Sequence, residues 1–134
     1  MKRILDTGPI VALYNRHDAF HQWAKDVLQR IKEPLWTCEA VLTEAAHLTK
    51  APGRIAEMVK DGSVRIGLRI DEQASAIARL LGQYAPRMDF ADACVVRMSE
   101  LFRDSEVLTL DGKDFRIYRR NGREVIPILS PQER

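Results

Sequence analysis

Short apolar runs alternate with amphipathic stretches along this chain, and this alternation constrains the fold more than any other sequence feature. Five runs are typical of strands, and the stretches between them repeat apolar residues every three or four positions, as helices do. Strands that alternate with helices pair in parallel, because each helix carries the chain back along the sheet. We therefore predict an α/β protein, a three-layer α/β/α domain with a central, mainly parallel five-stranded sheet.

The apolar runs place the five strands at residues 2–5, 35–38, 64–68, 107–110 and 125–128. The periodic stretches predict helices at residues 8–14, 19–31, 39–49, 55–60, 71–84 and 90–102. Asp18 is expected to cap the second helix and Asp89 the sixth, since a side-chain oxygen at that position can accept a backbone N–H. Pro127 favours an edge position for the last strand, because proline donates no hydrogen bond to a neighbour.

Composition limits the class of protein. The 134 residues are 46% apolar and 30% charged, which is typical of one globular domain covering residues 1–134. Cys38 and Cys94 lie in apolar segments, as expected of reduced thiols in an intracellular protein. Asp6 and Pro9 interrupt the first apolar run before a signal-peptide core can form, and no run approaches membrane-spanning length. We expect a cytoplasmic protein that does not contact a membrane.

Acidic residues stand at positions where the predicted fold brings them together. Asp6 and Asp111 follow the first and fourth strands, whose carboxyl ends meet at one edge of the sheet. Glu44 falls within the apolar face of its helix, and Asp92 shares a helical face with apolar residues. Carboxylates gathered in this way repel each other unless a divalent cation lies among them. The sequence thus predicts a Mg²⁺ or Mn²⁺ site made of Asp6, Glu44, Asp92 and Asp111.

Each acid after Asp6 also has an ordinary structural explanation. Glu44 could form an ion pair or reach water from the helix edge. Asp92 could stabilise the start of its helix together with Asp89, in a capping arrangement. Asp111 precedes a glycine, a standard turn dipeptide, and Asp114 is a weaker candidate for the same corner of the site.

The histidines give weaker evidence for a metal site than the acids do, and the chain has no phosphate-binding loop. His17 and His21 have the spacing of two metal ligands on a helix, but no third ligand is evident near them, and Asp18 explains the local polarity as a cap. His47 is expected to pack against its helix. Neither a Ser-His-Asp arrangement nor a glycine-rich phosphate loop is present.

Polar neighbours are expected to support the acids. Thr7 could donate its hydroxyl to Asp6 or to a bound phosphate, Thr109 could orient the acids by a hydrogen bond, and Gly8 permits a sharp turn beside Asp6. The last third of the chain is basic, with Phe115 and Tyr118 interleaved. Such a cluster is usually a solvated surface, but beside an acidic metal site it suits a nucleic-acid backbone. The candidate phosphate contacts are Lys50, Arg54, Arg87, Lys113 and Arg116.

Four segments in order resemble the motifs of PIN-domain ribonucleases, especially VapC-type toxins of toxin–antitoxin modules. They are Ile4-Leu5-Asp6-Thr7-Gly8-Pro9, Leu42-Thr43-Glu44-Ala45, Met88-Asp89-Phe90-Ala91-Asp92-Ala93 and Leu108-Thr109-Leu110-Asp111-Gly112-Lys113-Asp114-Phe115. The resemblance implies a PIN-like fold and a metal-dependent endoribonuclease in which Asp6, Glu44 and Asp92 are core acids. The fourth acidic position varies in the family and falls on Asp111 here.

The resemblance further implies the toxin of a type II pair, which uses Mg²⁺ or Mn²⁺ to cut single-stranded or loop RNA, either tRNA or mRNA. Glu44 would position or deprotonate the attacking water. A small VapB-like antitoxin would neutralise it, and a homodimer is expected, to which the large apolar residues Phe20 and Trp23 lend some support. Two other functions stay open. One is a non-catalytic PIN-like metal- or partner-binding module, and the other is an all-β aspartic protease, suggested by Asp6-Thr7-Gly8.

Overall fold

A computed structural model describes residues 1–131. The strands are β1 (Lys2–Leu5), β2 (Leu35–Thr37), β3 (Val64–Ile66), β4 (Ser105–Leu108), β5 (Arg119–Arg120), β6 (Glu124–Val125) and β7 (Ile128–Leu129). The helices are α1 (Thr7–Leu13), α2 (His21–Arg30), α3 (Glu39–Thr49), α4 (Pro52–Lys60), α5 (Ile70–Tyr84), α6 (Phe90–Leu101) and α7 (Gly112–Ile117).

One parallel sheet organises these elements, in the strand order β3-β2-β1-β4-β7. Strand β1 lies at its centre, where Ile4 and Leu5 are fully buried because helices cover both faces. Lys2 aligns with Ser105 and Leu5 with Leu108, so the carboxyl ends of β1 and β4 lie side by side. The predicted three-layer α/β/α architecture with a parallel five-stranded sheet is confirmed.

The core is continuous between the sheet and the helices and includes both cysteines. Cys38 and Cys94 are buried thiols that form no disulfide. Helix α6 has apolar side chains on most of its surface, including Val95 and Val96, because it packs between the sheet and α5. Within residues 1–131, no helix is long and apolar enough to cross a lipid bilayer.

The prediction for the last strand is wrong in its bounds. Residues 125–128 do not form one strand, since Val125 belongs to β6 and the sheet strand β7 begins at Ile128. Asn121 and Gly122 have positive φ angles of 54° and 82°, and the turn they make pairs β5 with β6 as a hairpin. Pro127 still accepts a hydrogen bond from the Val107 N–H at 2.9 Å, and β7 occupies the predicted edge position.

Strand β4 also differs from its prediction, because it spans Ser105–Leu108 and not residues 107–110. Thr109 lies just beyond the strand, and Asp111 is therefore three residues past its end. The chain then forms the short helix α7, which was not predicted. Its buried residue Phe115 is followed three positions later by the buried Tyr118, a spacing that could have indicated the helix.

Asp18 does not cap α2, contrary to prediction. The helix begins at His21 after Phe20, which provides no side-chain cap. Asp18 instead makes a turn two residues earlier, where its Oδ1 accepts the Phe20 N–H at 2.8 Å. Its backbone carbonyl then accepts the His21 N–H at 3.1 Å. The short side chain therefore stabilises the approach to the helix and leaves its first turn uncapped.

Candidate active site

An open cleft of about 480 Å³ lies at the carboxyl ends of β1 and β4. All of the predicted acids border it, together with two acids that the sequence did not suggest for the site, Asp18 and Asp89. Arg87 is the sole basic residue among the described residues that line it. The lining residues are Asp6, Thr7, Gly8, Val11, Asp18, Glu44, Leu48, Arg87, Asp89, Asp92, Leu110, Asp111 and Asp114.

Asp6 occupies the floor of this cleft. It follows the last residue of β1, and its side chain is buried, with 7% of the residue exposed. Thr109 donates its hydroxyl to Asp6 Oδ2 at 2.7 Å, which holds the carboxylate in one orientation. Burial raises the pKa of Asp6 from 3.8 to about 6, and the negative charges of Asp111 and Glu44 add to the effect. Ionising Asp6 therefore costs more free energy in the folded protein than in the unfolded chain, unless a positive charge lies nearby.

Gly8 serves close packing and not a sharp turn. It lies inside α1, and a Cβ atom at this position would stand 2.9 Å from the Leu110 Cγ. The missing side chain lets the segment after β4 approach the start of α1. Asp111, one residue beyond Leu110, is thereby brought toward Asp6, so the glycine still shapes the site.

The Thr7 hydroxyl does not bind Asp6 in the way the sequence suggested. Thr7 Oγ1 is buried and has no hydrogen-bond partner among residues 1–131. Thr109 provides the hydroxyl that holds Asp6, as expected of it. A buried hydroxyl without a partner costs free energy. Thr7 lines the cleft, where a bound ligand could supply that partner.

Asp92 both caps its helix and lines the cleft, two roles that the sequence offered as alternatives. Its N–H donates to Asp89 Oδ1 at 2.8 Å, and its own Oδ2 accepts the Asp89 N–H at 3.4 Å, completing a capping box. The same side chain lines the cleft and accepts a hydrogen bond from the Tyr118 hydroxyl at 3.0 Å. Burial raises the pKa of Asp92 to about 7, with the charges of Asp89 and Asp6 as further causes.

Glu44 lies on α3 and lines the cleft. It is half-buried, and among the described residues no cation lies within ion-pair distance of it. The ion-pair explanation for this acid is therefore not supported. Glu44 also borders a neighbouring surface depression together with Phe90, which is 46% exposed.

The two acids near α7 differ in their partners. Asp114 forms an ion pair with Arg87, with 2.6 Å between Oδ1 and Nη1. Asp111 has no such pair among residues 1–131. Asp111 is an exposed residue, but partial desolvation at the cleft, followed by the nearby Asp114, raises the pKa of Asp111 above its ordinary value. Of these two acids, Asp111 is the one whose charge the protein leaves uncompensated.

The basic residues proposed as phosphate contacts mostly lie outside the cleft. Lys113 and Arg116 are exposed on α7, and Lys50 is exposed at the end of α3. Arg54 lies over the Tyr14 ring, with 5.6 Å from the guanidinium carbon to the ring centroid. Arg87 alone of the candidates lines the cleft.

The aromatic residues of the basic segment are not available for stacking on bases. Phe115 and Tyr118 are fully buried. Arg120, from the same segment, donates to the Ser99 carbonyl at 3.2 Å and pairs with Glu124. The part of this segment that faces solvent is therefore narrower than the sequence suggested.

The described residues contain no preassembled cation site. Within residues 1–131, no group of three carboxylate, histidine or cysteine side chains is arranged to hold a metal ion. The pair of histidines does not form one either, because His21 Nδ1 donates to the Ala12 carbonyl at 2.8 Å and His17 is exposed. The acids share one cleft, but no three of the described ones converge on a point that a cation could occupy.

The fold and the cleft together define an α/β/α domain with acids gathered at the carboxyl edge of a parallel sheet. The sequence matches the model of the PIN domain over residues 3–121, which is most of the chain. The chain therefore belongs to the PIN-domain family, and the resemblance noted in the sequence is confirmed at that level.

The structure is similar to the crystal structure of VapC20 from Mycobacterium tuberculosis, which is described as a Sarcin-Ricin loop cleaving toxin. The two chains are 22% identical and superpose with a TM-score of 0.75, covering 94% of this chain and 100% of VapC20. At this identity, the similarity establishes the fold. A search of curated proteins found no match.

Proposed function

We propose that this PIN-domain protein is a divalent-cation-dependent endoribonuclease that acts as the toxin of a type II toxin–antitoxin pair. The observation that carries the proposal is the set of uncompensated acids in one cleft. Asp6, Asp92 and Asp111 have raised pKa values there, and the single basic residue among the described lining residues, Arg87, is paired with Asp114. Carboxylates whose pKa is raised by desolvation and by neighbouring acids are stabilised when a cation binds beside them.

The residues of the cleft fit Mg²⁺ or Mn²⁺. Their donors are carboxylate and hydroxyl oxygens, which suit hard divalent cations. The buried, unpartnered Thr7 hydroxyl points to a polar ligand in the same place. Mg²⁺ usually binds through one or two carboxylates and keeps several waters, so it does not require three converging side chains. Asp6 and Asp92 are the proposed principal ligands, with Glu44 and Asp111 assisting.

The catalytic role of each residue follows from its place in the cleft. A bound divalent cation would make water a better nucleophile and stabilise charge on the phosphate. Glu44, which has no ion-pair partner among the described residues, is proposed to position or deprotonate that water. Thr109 holds Asp6 in place, and the Arg87–Asp114 pair forms one wall of the cleft.

The proposed substrate is single-stranded or loop RNA, whose unpaired bases can be splayed out and recognised. VapC20, which has a similar fold, is described as a Sarcin-Ricin loop cleaving toxin. Lys50 lies two positions beyond the cleft residue Leu48, and Lys113 lies two positions beyond Asp111. These lysines, with Arg87 and Arg116, are proposed to contact the backbone on either side of the cut.

The proposal includes two protein partners, a VapB-like antitoxin and a second copy of the chain. An antitoxin would bind over the cleft and exclude RNA. Phe20 and Trp23, which the sequence suggested for a dimer, are both half-buried, and Trp23 packs against the core. Light scattering of the purified chain tests the homodimer, and co-purification with the product of a neighbouring reading frame tests the antitoxin.

The parallel α/β/α sheet is incompatible with the all-β fold of Asp-Thr-Gly aspartic proteases. A non-catalytic PIN-like module would retain the fold and the acids but would cut no RNA.

RNA cleavage in Mn²⁺ by the wild type, Asp6→Asn and Asp104→Asn separates the nuclease from the binding module. Asp104 is an exposed acid beyond the opposite edge of the sheet and serves as a matched control. We expect a loss of about a thousandfold or more in Asp6→Asn, because it removes a residue that would act directly on the reaction, and wild-type activity in Asp104→Asn. The proposal fails if EDTA leaves the wild-type cleavage intact, or if Asp6→Asn cuts as fast as the wild type. Mapping RNA 5′ ends after brief expression of the same variants would identify the substrate.

A further inference from the structure

Tyr118 makes a contact with the cleft that the proposed mechanism does not use. The residue follows α7, and its side chain is fully buried beneath α6. Its hydroxyl lies 3.0 Å from Asp92 Oδ2 and 3.5 Å from the Arg87 carbonyl oxygen. A phenol has one proton to donate, and the shorter, charge-assisted bond to the carboxylate is the stronger of the two. Tyr118 therefore binds Asp92.

This bond differentiates the two oxygens of the Asp92 carboxylate. Oδ2 accepts the Tyr118 hydroxyl and also the backbone N–H of Asp89. No donor among residues 1–131 binds Oδ1. The protein thus binds Oδ2 and leaves Oδ1 without a donor among the described residues, on a side chain that lines the cleft.

The phenol ring cannot move easily from this position. Its centroid lies 5.2 Å from that of Tyr84 and 5.4 Å from that of Phe115, both in edge-to-face geometry. A donor that is fixed by packing restricts the rotation of the carboxylate it binds.

The same arrangement occurs at Asp6, where the Thr109 hydroxyl holds Oδ2 at 2.7 Å. Thr109 precedes α7 in the sequence and Tyr118 follows it, so the segment after β4 supplies a hydroxyl to Asp6 and another to Asp92. From this geometry we infer that Tyr118 is a positioning residue that orients Asp92 toward a divalent cation. The inference rests on the proposed function, because it assigns Asp92 to a cation site.

The test is Mn²⁺ binding, measured without RNA by titration calorimetry on the wild type, Tyr118→Phe and Tyr84→Phe. Tyr118→Phe removes the hydroxyl and keeps the ring, so the core remains packed. We expect its Kd for Mn²⁺ to rise by about 10- to 100-fold, the usual effect of removing a residue that orients a metal ligand. Tyr84→Phe removes a hydroxyl from the same aromatic cluster that does not contact an acid. Its Kd is expected to equal that of the wild type.

Melting temperatures of the three proteins separate positioning from packing. A Tyr118→Phe variant that melts lower but binds Mn²⁺ with the wild-type Kd would overturn the inference, since the hydroxyl would then be structural. An equal loss of affinity in Tyr84→Phe would also overturn it, because the effect would belong to the aromatic cluster. If the wild type neither binds Mn²⁺ nor cuts RNA, the proposed function itself fails. If the wild type cuts RNA and Tyr118→Phe binds Mn²⁺ with the wild-type Kd, the inference alone fails and the proposed function stands.

Discussion

The two edges of the parallel sheet treat charge in opposite ways. At the amino edge, Arg3 of β1 pairs with Glu106 at 3.3 Å and with Glu33 at 3.7 Å, so positive and negative groups compensate each other. At the carboxyl edge, Asp6 is buried and Asp92 half-buried among further acids, and desolvation raises the pKa of each. The first arrangement stabilises a fold, whereas the second costs stability and is retained where a ligand supplies the missing charge.

The largest expected effect concerns Asp6 in metal-free protein. An acid whose pKa rises from 3.8 to about 6 on folding is protonated in both states below pH 3.8 and has no effect there. As pH rises toward 6, the unfolded chain loses this proton first, so stability is lost over that window. The full cost above pH 6 is roughly 3 kcal/mol.

Asp6→Asn removes the ionisable group and with it this cost. The amide oxygen of the variant can still accept the Thr109 hydroxyl, so that hydrogen bond is kept. In EDTA at pH 8, urea denaturation should show the variant to be more stable than the wild type by up to about 3 kcal/mol. The difference should vanish below about pH 4. A less stable Asp6→Asn at pH 8 would mean that Asp6 has a structural role.

A slightly smaller effect is expected from the cation itself. Mn²⁺ at a hundredfold excess over its Kd should stabilise the wild type by about 2.7 kcal/mol, which raises Tm by several degrees. Asp6→Asn and Asp92→Asn should lose most of this gain, while Asp104→Asn keeps it. Equal melting curves in Mn²⁺ and EDTA would contradict the cation site and with it the contrast between the two edges.

The smallest effect is expected at the amino edge. Glu106→Gln removes a partly exposed ion pair with Arg3 and should destabilise the protein by less than about 1 kcal/mol. Mn²⁺ should raise the Tm of this variant as much as that of the wild type. A larger loss of stability, measured by urea denaturation at pH 7, would show that the amino edge carries more of the stability than its exposure suggests.

Local patterns predicted most of the fold. Helix α3 begins and ends where its apolar periodicity predicts, at Glu39 and Thr49, and the capping pair Asp89 and Asp92 forms the expected box. These features depend on residues within one or two turns of each other, which a sequence displays directly. The same holds for Asp6, since an acid after an apolar strand identifies the carboxyl edge by itself.

The failures involve either a turn that competes locally with a helix or strand, or a partner that is distant in the sequence. Val125 belongs to the hairpin of β5 and β6 and not to the predicted last strand. Two adjacent residues with positive φ angles form the turn of this hairpin, and such a turn depends on tertiary context. The contact between Tyr118 and Asp92 spans 26 positions and an unpredicted helix. Asp18 was predicted to cap α2, but its side chain accepts the Phe20 N–H in a turn before the helix.

The central position of β1 has a consequence for how the protein is made. The bond between Thr109 and Asp6 joins residues 103 positions apart, and β1 pairs with β4 over the same separation. Closing so long a loop is slow compared with forming local helices. During synthesis, the edge of β1 that pairs with β4 stays unpaired until residues 105–108 leave the ribosome. A chain truncated before β4 therefore cannot assemble the acid cleft, so the proposed nuclease would stay inactive through most of its own translation.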